Sequence, residues 1–477
     1  MRKRVRIYRL LGVAVLVLFA LATAQSEIGM SGNEASRLAT VQAVAEQHTF
    51  AIERTNFRTV DKLYFDGHLY SDKPPFLAWA VGMGLRPVLA VTGWNFSDDY
   101  HWLVYLVDLV TGGGVNVVLF LWLFNLFRRV RKGSVEAKFL LALGSVAGSW
   151  LLSYSVVINN HTPAALCVLG AYIALGKFER RPTYAAAALA ALACGVLGAL
   201  EIPGGVIFGL ALIPALALSS PAEKRAEYVL TAMCVVSLSA LFVFGLNYFA
   251  YRRSLPLYIA PGGSYSPGVG QKSLWGYAAE CLFTCRGVFS YQPFLLLALP
   301  GVWLRRRRTG AAEWSMLAAT AVFALFYLML TNEYGGAAYG FRYLIPVIPV
   351  WSFWAGRLVL ESPRRRWCGA LAALLILWGV VTSLAGAYNP FCFAFEGYRT
   401  PPGHFSRSVR STFGGNVLCW SYAHFPASRW TRALRRYYGE RASWEHLHWS
   451  FVSMKDIPRL ARLRGELESA VEKAADK

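Results

Sequence analysis

The apolar residues of this 477-residue chain come in blocks roughly 15 to 27 long, and nothing else in the sequence restricts its fold as much. The blocks fall near 10–24, 76–92, 101–127, 139–157, 163–176, 184–200, 204–219, 229–250, 287–304, 312–331, 343–360 and 367–388. A helix crosses the hydrocarbon core of a bilayer with about 20 predominantly apolar residues, whereas a barrel strand alternates polar and apolar positions. Unbroken blocks therefore predict an all-α, polytopic transmembrane bundle. Charged residues make up only 16%, against roughly a quarter in soluble proteins, which excludes a soluble enzyme and a disordered chain. The net charge of +21 sits in short clusters between the blocks. That placement suits membrane orientation better than a phosphate-binding face, so nucleic acid is not an expected partner.

The clusters also orient the bundle. Residues 1–9 carry five basic residues, and the clusters at 128–138, 177–181, 224–225, 305–308 and 364–366 carry seventeen more. If block 76–92 lies in the interface or dips in and returns, all of these share one side, which the charge rule makes cytoplasmic. Eleven spans follow, in a plasma (inner) membrane, with the N-terminus cytoplasmic and the C-terminus extracytoplasmic. The pair 184–200 and 204–219, broken by Glu201, Pro203, Gly204 and Gly205, also fits a re-entrant pair. Block 163–176 is short for a span. The first block has the layout of a signal peptide, but in a polytopic chain it reads as a retained helix. On this reading residues 1–388 form the membrane domain, 25–100 its first outer loop with a juxtamembrane segment, and 389–477 a small extracytoplasmic region ending in helical spacing over 457–477.

Cys281, Cys285, Cys392 and Cys419 fall on the expected outer side, where disulfides persist, but the spacing fixes no pairing. Ionisable residues inside blocks are few: Asp108, Glu201 and Arg357. Asp108 precedes Thr111-Gly112-Gly113-Gly114, a run that lets helices approach closely, and its plain role is a hydrogen bond within the bundle. Charged residues crowd the first outer loop instead, which points to chemistry at the outer face. Asn33 is placed to cap a helix, putting Glu34 in its first turn. Further on, Pro74 and Pro75 make a rigid start to block 76–92 and hold Lys73 near the headgroup plane, either as an ordinary juxtamembrane lysine or as a phosphate partner.

The ordered pair Asn33-Glu34-Ala35 and Lys73-Pro74-Pro75 resembles the motifs of the GT-C membrane glycosyltransferases, in the branch of protein O-mannosyltransferases and lipid A aminoarabinose transferases. The resemblance covers most of 10–390 and rests on short motifs and topology. The Lys-Pro-Pro element matches fully. The first motif departs, since relatives carry Asp where Asn33 stands. The turn Asn159-Asn160-His161-Thr162-Pro163 departs too, since relatives commonly place an Asp there. The stretch from Glu333 to Tyr343, with Pro346 and Pro349, is similar to a glycine-rich Arg-Tyr element of the superfamily.

The resemblance implies transfer of a sugar from a polyprenyl-phosphate donor to a lipid, polysaccharide or protein acceptor on the outer face. Lys73 and Arg342 would steady the leaving phosphate, and Glu34 would be the base with His161 as its supporting partner. Asn33, Asp72, Glu333 and Tyr339 complete the expected substrate contacts. No Asp-x-Asp cluster stands in a loop, which disfavours a nucleotide-sugar donor; a divalent-cation cofactor is left open. A transporter or flippase of a lipid-linked substrate, or an envelope scaffold, are the alternative readings.

Overall fold

The structure is a computed structural model describing residues 2–24, 31–257, 274–284, 286–331, 335–336, 338–362, 365–391, 412–425 and 427–438. Glu333, Cys285, Cys392 and the expected helix at 457–477 lie outside the described residues, as does the Cys419 side chain.

The described chain is mostly helical. Helix α1 (Arg2–Thr23) leads to α2 (Gly32–Glu46), a two-stranded antiparallel hairpin of β1 (Lys62–Phe65) and β2 (His68–Ser71), and α3 (Pro75–Thr92). Then come α4 (Tyr100–Asp108), a π-helical turn over Leu109–Gly114, α5 (Val115–Arg129), α6 (Val135–Ala147), the short α7 (Trp150–Ser153) and α8 (His161–Arg180). A long hairpin of α9 (Tyr184–Leu200) and α10 (Ile202–Ser219) precedes α11 (Arg225–Tyr251). The remainder is α12 (Leu274–Phe283), α13 (Val288–Tyr291), α14 (Ala298–Arg305), α15 (Ala311–Leu330), α16 (Ile348–Glu361) behind a 3₁₀ turn Arg342–Val347, α17 (Arg365–Tyr388), α18 (Thr412–His424) and α19 (Arg429–Tyr438).

Eight helical stretches among the described residues are long and apolar enough to cross a membrane, or nine if the bent pair Leu274–Tyr291 and Pro293–Arg305 counts as one. Several of them turn their apolar side chains outward. Leu10 and Leu18 on α1, Leu238, Leu241 and Phe249 on α11, and Leu374 and Leu377 on α17 are exposed. Large outward apolar surfaces of this kind are compatible with a chain that crosses a membrane several times.

Ion pairs and hydrogen bonds tie the loop clusters into two ends. Arg4 pairs with Glu136, Arg9 Nη2 donates to Asn125, Tyr184 bonds Glu227, and Arg305 pairs with Glu361, so the N-terminus shares one end with the basic clusters. Residues 31–99 begin and end at the opposite end. Tyr105 there donates to the Leu21 carbonyl, and the Phe96 amide bonds Glu46 of α2. Both flanks of α3 thus return to one end, although α3 alone is long and apolar enough to cross.

Three local outcomes correct the sequence reading. Block 139–157 is not one helix: α6 stops at Ala147, Gly148 packs closely against the Ile376 carbonyl, and Ser149 caps a new turn. The segment that follows fits tightly against the π turn, where a Cβ on Gly112 would stand 2.1 Å from the Ser155 carbonyl. Block 163–176 is longer than it reads, since α8 has 20 residues and extends past the block through His161 and Thr162 at one end and Lys177–Arg180 at the other. The α9–α10 pair runs from end to end instead of turning back midway, with Tyr228 reaching the Pro182 carbonyl at one end and Glu201 at the other. The first part of the C-terminal region docks on the bundle: Asn416 donates to the Ala385 and Asn389 carbonyls, and the Phe413 amide bonds Tyr291.

Candidate functional site

Helix α2 carries the first motif, and its N-cap is Ser31, not Asn33: Ser31 Oγ accepts the Asn33 amide at 3.2 Å. That frees the Asn33 side chain, whose Oδ1 accepts Arg37 Nη1 at 2.9 Å. Glu34 still falls in the first turn, fully buried. Every residue of α2 from Glu34 to Ala45 is buried. Ser36, Arg37, Thr40 and Gln42 tolerate this because they are hydrogen-bonded. Thr40 Oγ1 donates to the Ser36 carbonyl, and Gln42 accepts the Asn56 amide and donates to Glu46.

The second motif is built around the same helix. Lys73 Nζ lies 2.9 Å from both Asp61 Oδ2 and Asp72 Oδ1. Its amide donates to Ser71 Oγ, which sits 2.6 Å from Ser36 Oγ on α2, and Ser36 in turn donates to the Asp61 carbonyl. Pro74 and Pro75 then begin α3 as N-cap and first residue, as the sequence predicts. The lysine expected to wait for a phosphate is thus already held by two carboxylates.

Two guanidiniums are not held this way. Arg37, nearly buried at 4% exposure, reaches from Asn33 to Asn160 Oδ1, 2.6 Å from its Nη2, so both its hydrogen-bonding partners are neutral amides. Burial, and next the neighbouring Arg342 charge, pull Arg37 down to about 10, opposed by Asp72 and Asp61; it stays a cation at neutral pH. Arg342 has no carboxylate partner among the described residues. Its guanidinium lies 5.5 Å from the Phe391 ring and 5.9 Å from the Tyr343 ring, and its buried Nε has no hydrogen bond. The turn before it depends on glycine: Gly335, Gly336 and Gly340 take φ of 84°, 73° and 71°, left-handed values that other residues rarely adopt. Tyr339 is fully buried, stacks on Tyr291 and donates to the Thr382 carbonyl at 2.6 Å. Its hydroxyl ties the turn to α17.

His161 opens α8 beside this pair and feels both Arg342 and Arg37. Its contact is Glu201, with Nδ1 3.6 Å from Oε2. Glu201 joins α9 to α10 and also accepts the Tyr327 hydroxyl, while Tyr327 stacks on Tyr343 with centroids 4.5 Å apart. Behind Glu34 stands Asp108, fully buried at the start of the π turn and close enough to interact with Glu34 electrostatically.

Of the residues expected from sequence, Asn33, Glu34, Lys73, Asp72, His161 and Arg342 gather at one end of the bundle. Sequence reasoning did not assign a role to Arg37, Asn160 or Glu201. Arg37 was findable in part, because it follows Asn33 by four residues and Glu34 by three, which places all three on one helix face. Among the described residues no group of three or more His, Cys, Asp or Glu is arranged to hold a metal ion. A scan against protein-family models finds no match for this chain, and a search of the curated proteins finds none.

Proposed function

We propose that the chain is a membrane glycosyltransferase of the GT-C type, moving a sugar from a polyprenyl-phosphate donor to an acceptor at the outer face of a plasma (inner) membrane. The observation that carries this reading is the approach of Arg37 and Arg342, close enough for their charges to interact and neither in an ion pair among the described residues, with Glu34 buried one turn before Arg37 on α2. Two like charges in a low-dielectric place repel, and a phosphate between them turns repulsion into attraction. In the transfer step an acceptor oxygen or nitrogen bonds to the anomeric carbon while the bond from that carbon to the phosphate oxygen breaks. The leaving phosphate takes the electron pair, which the two arginines stabilise, and the acceptor proton passes to Glu34. Lys73 shapes the site by fixing Asp61 and Asp72, and His161 acts through Glu201. The topology that goes with this has eleven crossings, α3 at the interface, the N-terminus cytoplasmic and the C-terminus outside.

A flippase or transporter for a lipid-linked substrate is the second reading. The π turn beside Asp108 and the bent stretch from Leu274 to Arg305 favour it, since broken helices near buried charge suit transport. Glu34→Gln decides between them. In a transferase it keeps donor binding and abolishes product; in a flippase it leaves translocation of the lipid-linked substrate near normal.

A further inference from the structure

At the end opposite the candidate site, about 30 Å away along the 20 residues of α8, the basic clusters wall a cavity of about 900 Å³. Arg129, Arg131, Lys132, Arg180, Arg307 and Arg308 contribute to its lining. The carboxylates in its wall are already engaged. Glu313 takes Arg357 at 3.2 Å and the Tyr172 hydroxyl at 3.0 Å, and Glu361 takes Arg305. Nearby Glu179 bonds the amides that begin α15. None of the six cations has an ion pair among the described residues, and Arg129 and Arg180 stand close enough to repel one another. Arg357, 8% exposed, has a buried Nε without a hydrogen bond in the same wall.

Orientation in a membrane asks only for basic loops; it does not ask them to converge on a hollow. A second feature gives the hollow a direction. An apolar groove of about 510 Å³ runs between α5, α8 and α9, lined by Trp122, Leu166, Gly170 and Leu192, and it shares Leu126, Arg129 and Ile173 with the basic cavity. A cationic chamber opening into an apolar trough matches an amphiphile with a negative head and hydrocarbon tail.

We propose that this cavity and groove bind an anionic glycerophospholipid, phosphates in the arginine-lined chamber and an acyl chain along the groove. A zwitterionic lipid fits less well, because its own ammonium would face unpaired guanidiniums. Several unpaired cations in one chamber favour a headgroup with two phosphates, so cardiolipin is the probe of choice.

The test is lipid binding to the purified full chain, delipidated and presented with phosphatidylcholine vesicles with or without cardiolipin, read by native mass spectrometry and by competition. The wild type should bind cardiolipin at least tenfold more tightly than phosphatidylcholine. Arg129→Gln with Arg180→Gln should remove that preference, while Lys224→Gln with Arg225→Gln, exposed at the same end but outside the cavity, should keep it. Gly176→Trp provides a variant that spares the charges. Gly176 lines the cavity, a Cβ there meets nothing within 4 Å, and a non-glycine residue suits the helix, so the indole fills the chamber without disturbing the fold. It should also lose the preference. Equal binding of the two lipids by the wild type, an equal loss in the Lys224/Arg225 control, or retention in Gly176→Trp would each overturn the proposal. Displacement of cardiolipin by an equal fraction of polyprenyl phosphate would overturn the choice of occupant, and saturation by inorganic phosphate alone would overturn the lipid.

Discussion

The two ends of the bundle both concentrate arginine and lysine, yet they use it differently. At the loop end three cations of the candidate site are embedded: Lys73 between Asp61 and Asp72, Arg37 between Asn33 and Asn160, Arg342 against Phe391 and Tyr343. At the opposite end Arg306, Arg307 and Arg308 are exposed. Water and salt screen the second set, whereas charges of the first act on one another at short range in a poor dielectric. Residue type alone therefore says little; burial and the identity of the partner decide what each end can hold.

The strongest way to break this comparison is to show that the ends face the same side. In a background without native reactive cysteines, Tyr64→Cys on the exposed hairpin should label in intact cells and Arg307→Cys should not. Equal labelling at both would dissolve the two-ended account. Next in size is Glu34→Gln, which should keep the fold and donor binding while turnover falls about 10²–10⁴-fold, the usual worth of general-base assistance. Near-normal turnover would move the base role to Asp61, Asp72 or Asp108.

Arg37→Gln and Arg342→Gln sharpen the same contrast. Each should lower transfer about 10²–10³-fold, as loss of one donor to a developing oxyanion does, and the double variant should be little worse than the worse single one. Fully multiplicative losses would place them in separate sites. The smallest effect concerns stability. Lys73→Ala leaves Asp61 and Asp72 facing each other, so it should cost about 1–3 kcal/mol and lower Tm, while exposed Arg307→Ala should leave Tm unchanged. Equal shifts in thermal unfolding would mean that the loop-end lysine is no better integrated than a surface cation.

The apolar blocks made the existence of most helices legible, and the basic clusters made visible which loops share an end, because both signals are local in sequence. Block 139–157 misled because composition does not register that Gly148 lies under the Ile376 carbonyl, a contact more than two hundred residues away. Arg37 was passed over for the same reason: on α2 it looks like a solvated residue, and its partner Asn160 is 123 positions on. Lys73 was picked out by its prolines, but one of the two carboxylates that hold it, Asp61, comes from chain folding that hydropathy does not report. Tyr339 was grouped with its motif, although its buried hydroxyl belongs to the packing against α17.

Sugar transfer at the loop end is the central claim, and comparison of envelope glycolipids and glycoproteins by mass spectrometry tests it most directly. Cells lacking the gene would be complemented with the wild type, with Glu34→Gln or with Arg37→Gln/Arg342→Gln. The account predicts one acceptor class missing a single sugar in the null strain, restored by the wild type and by neither variant, with the lipid-linked donor accumulating. An unchanged glycan profile in the null strain, or full restoration by Glu34→Gln together with the double arginine variant, would contradict it.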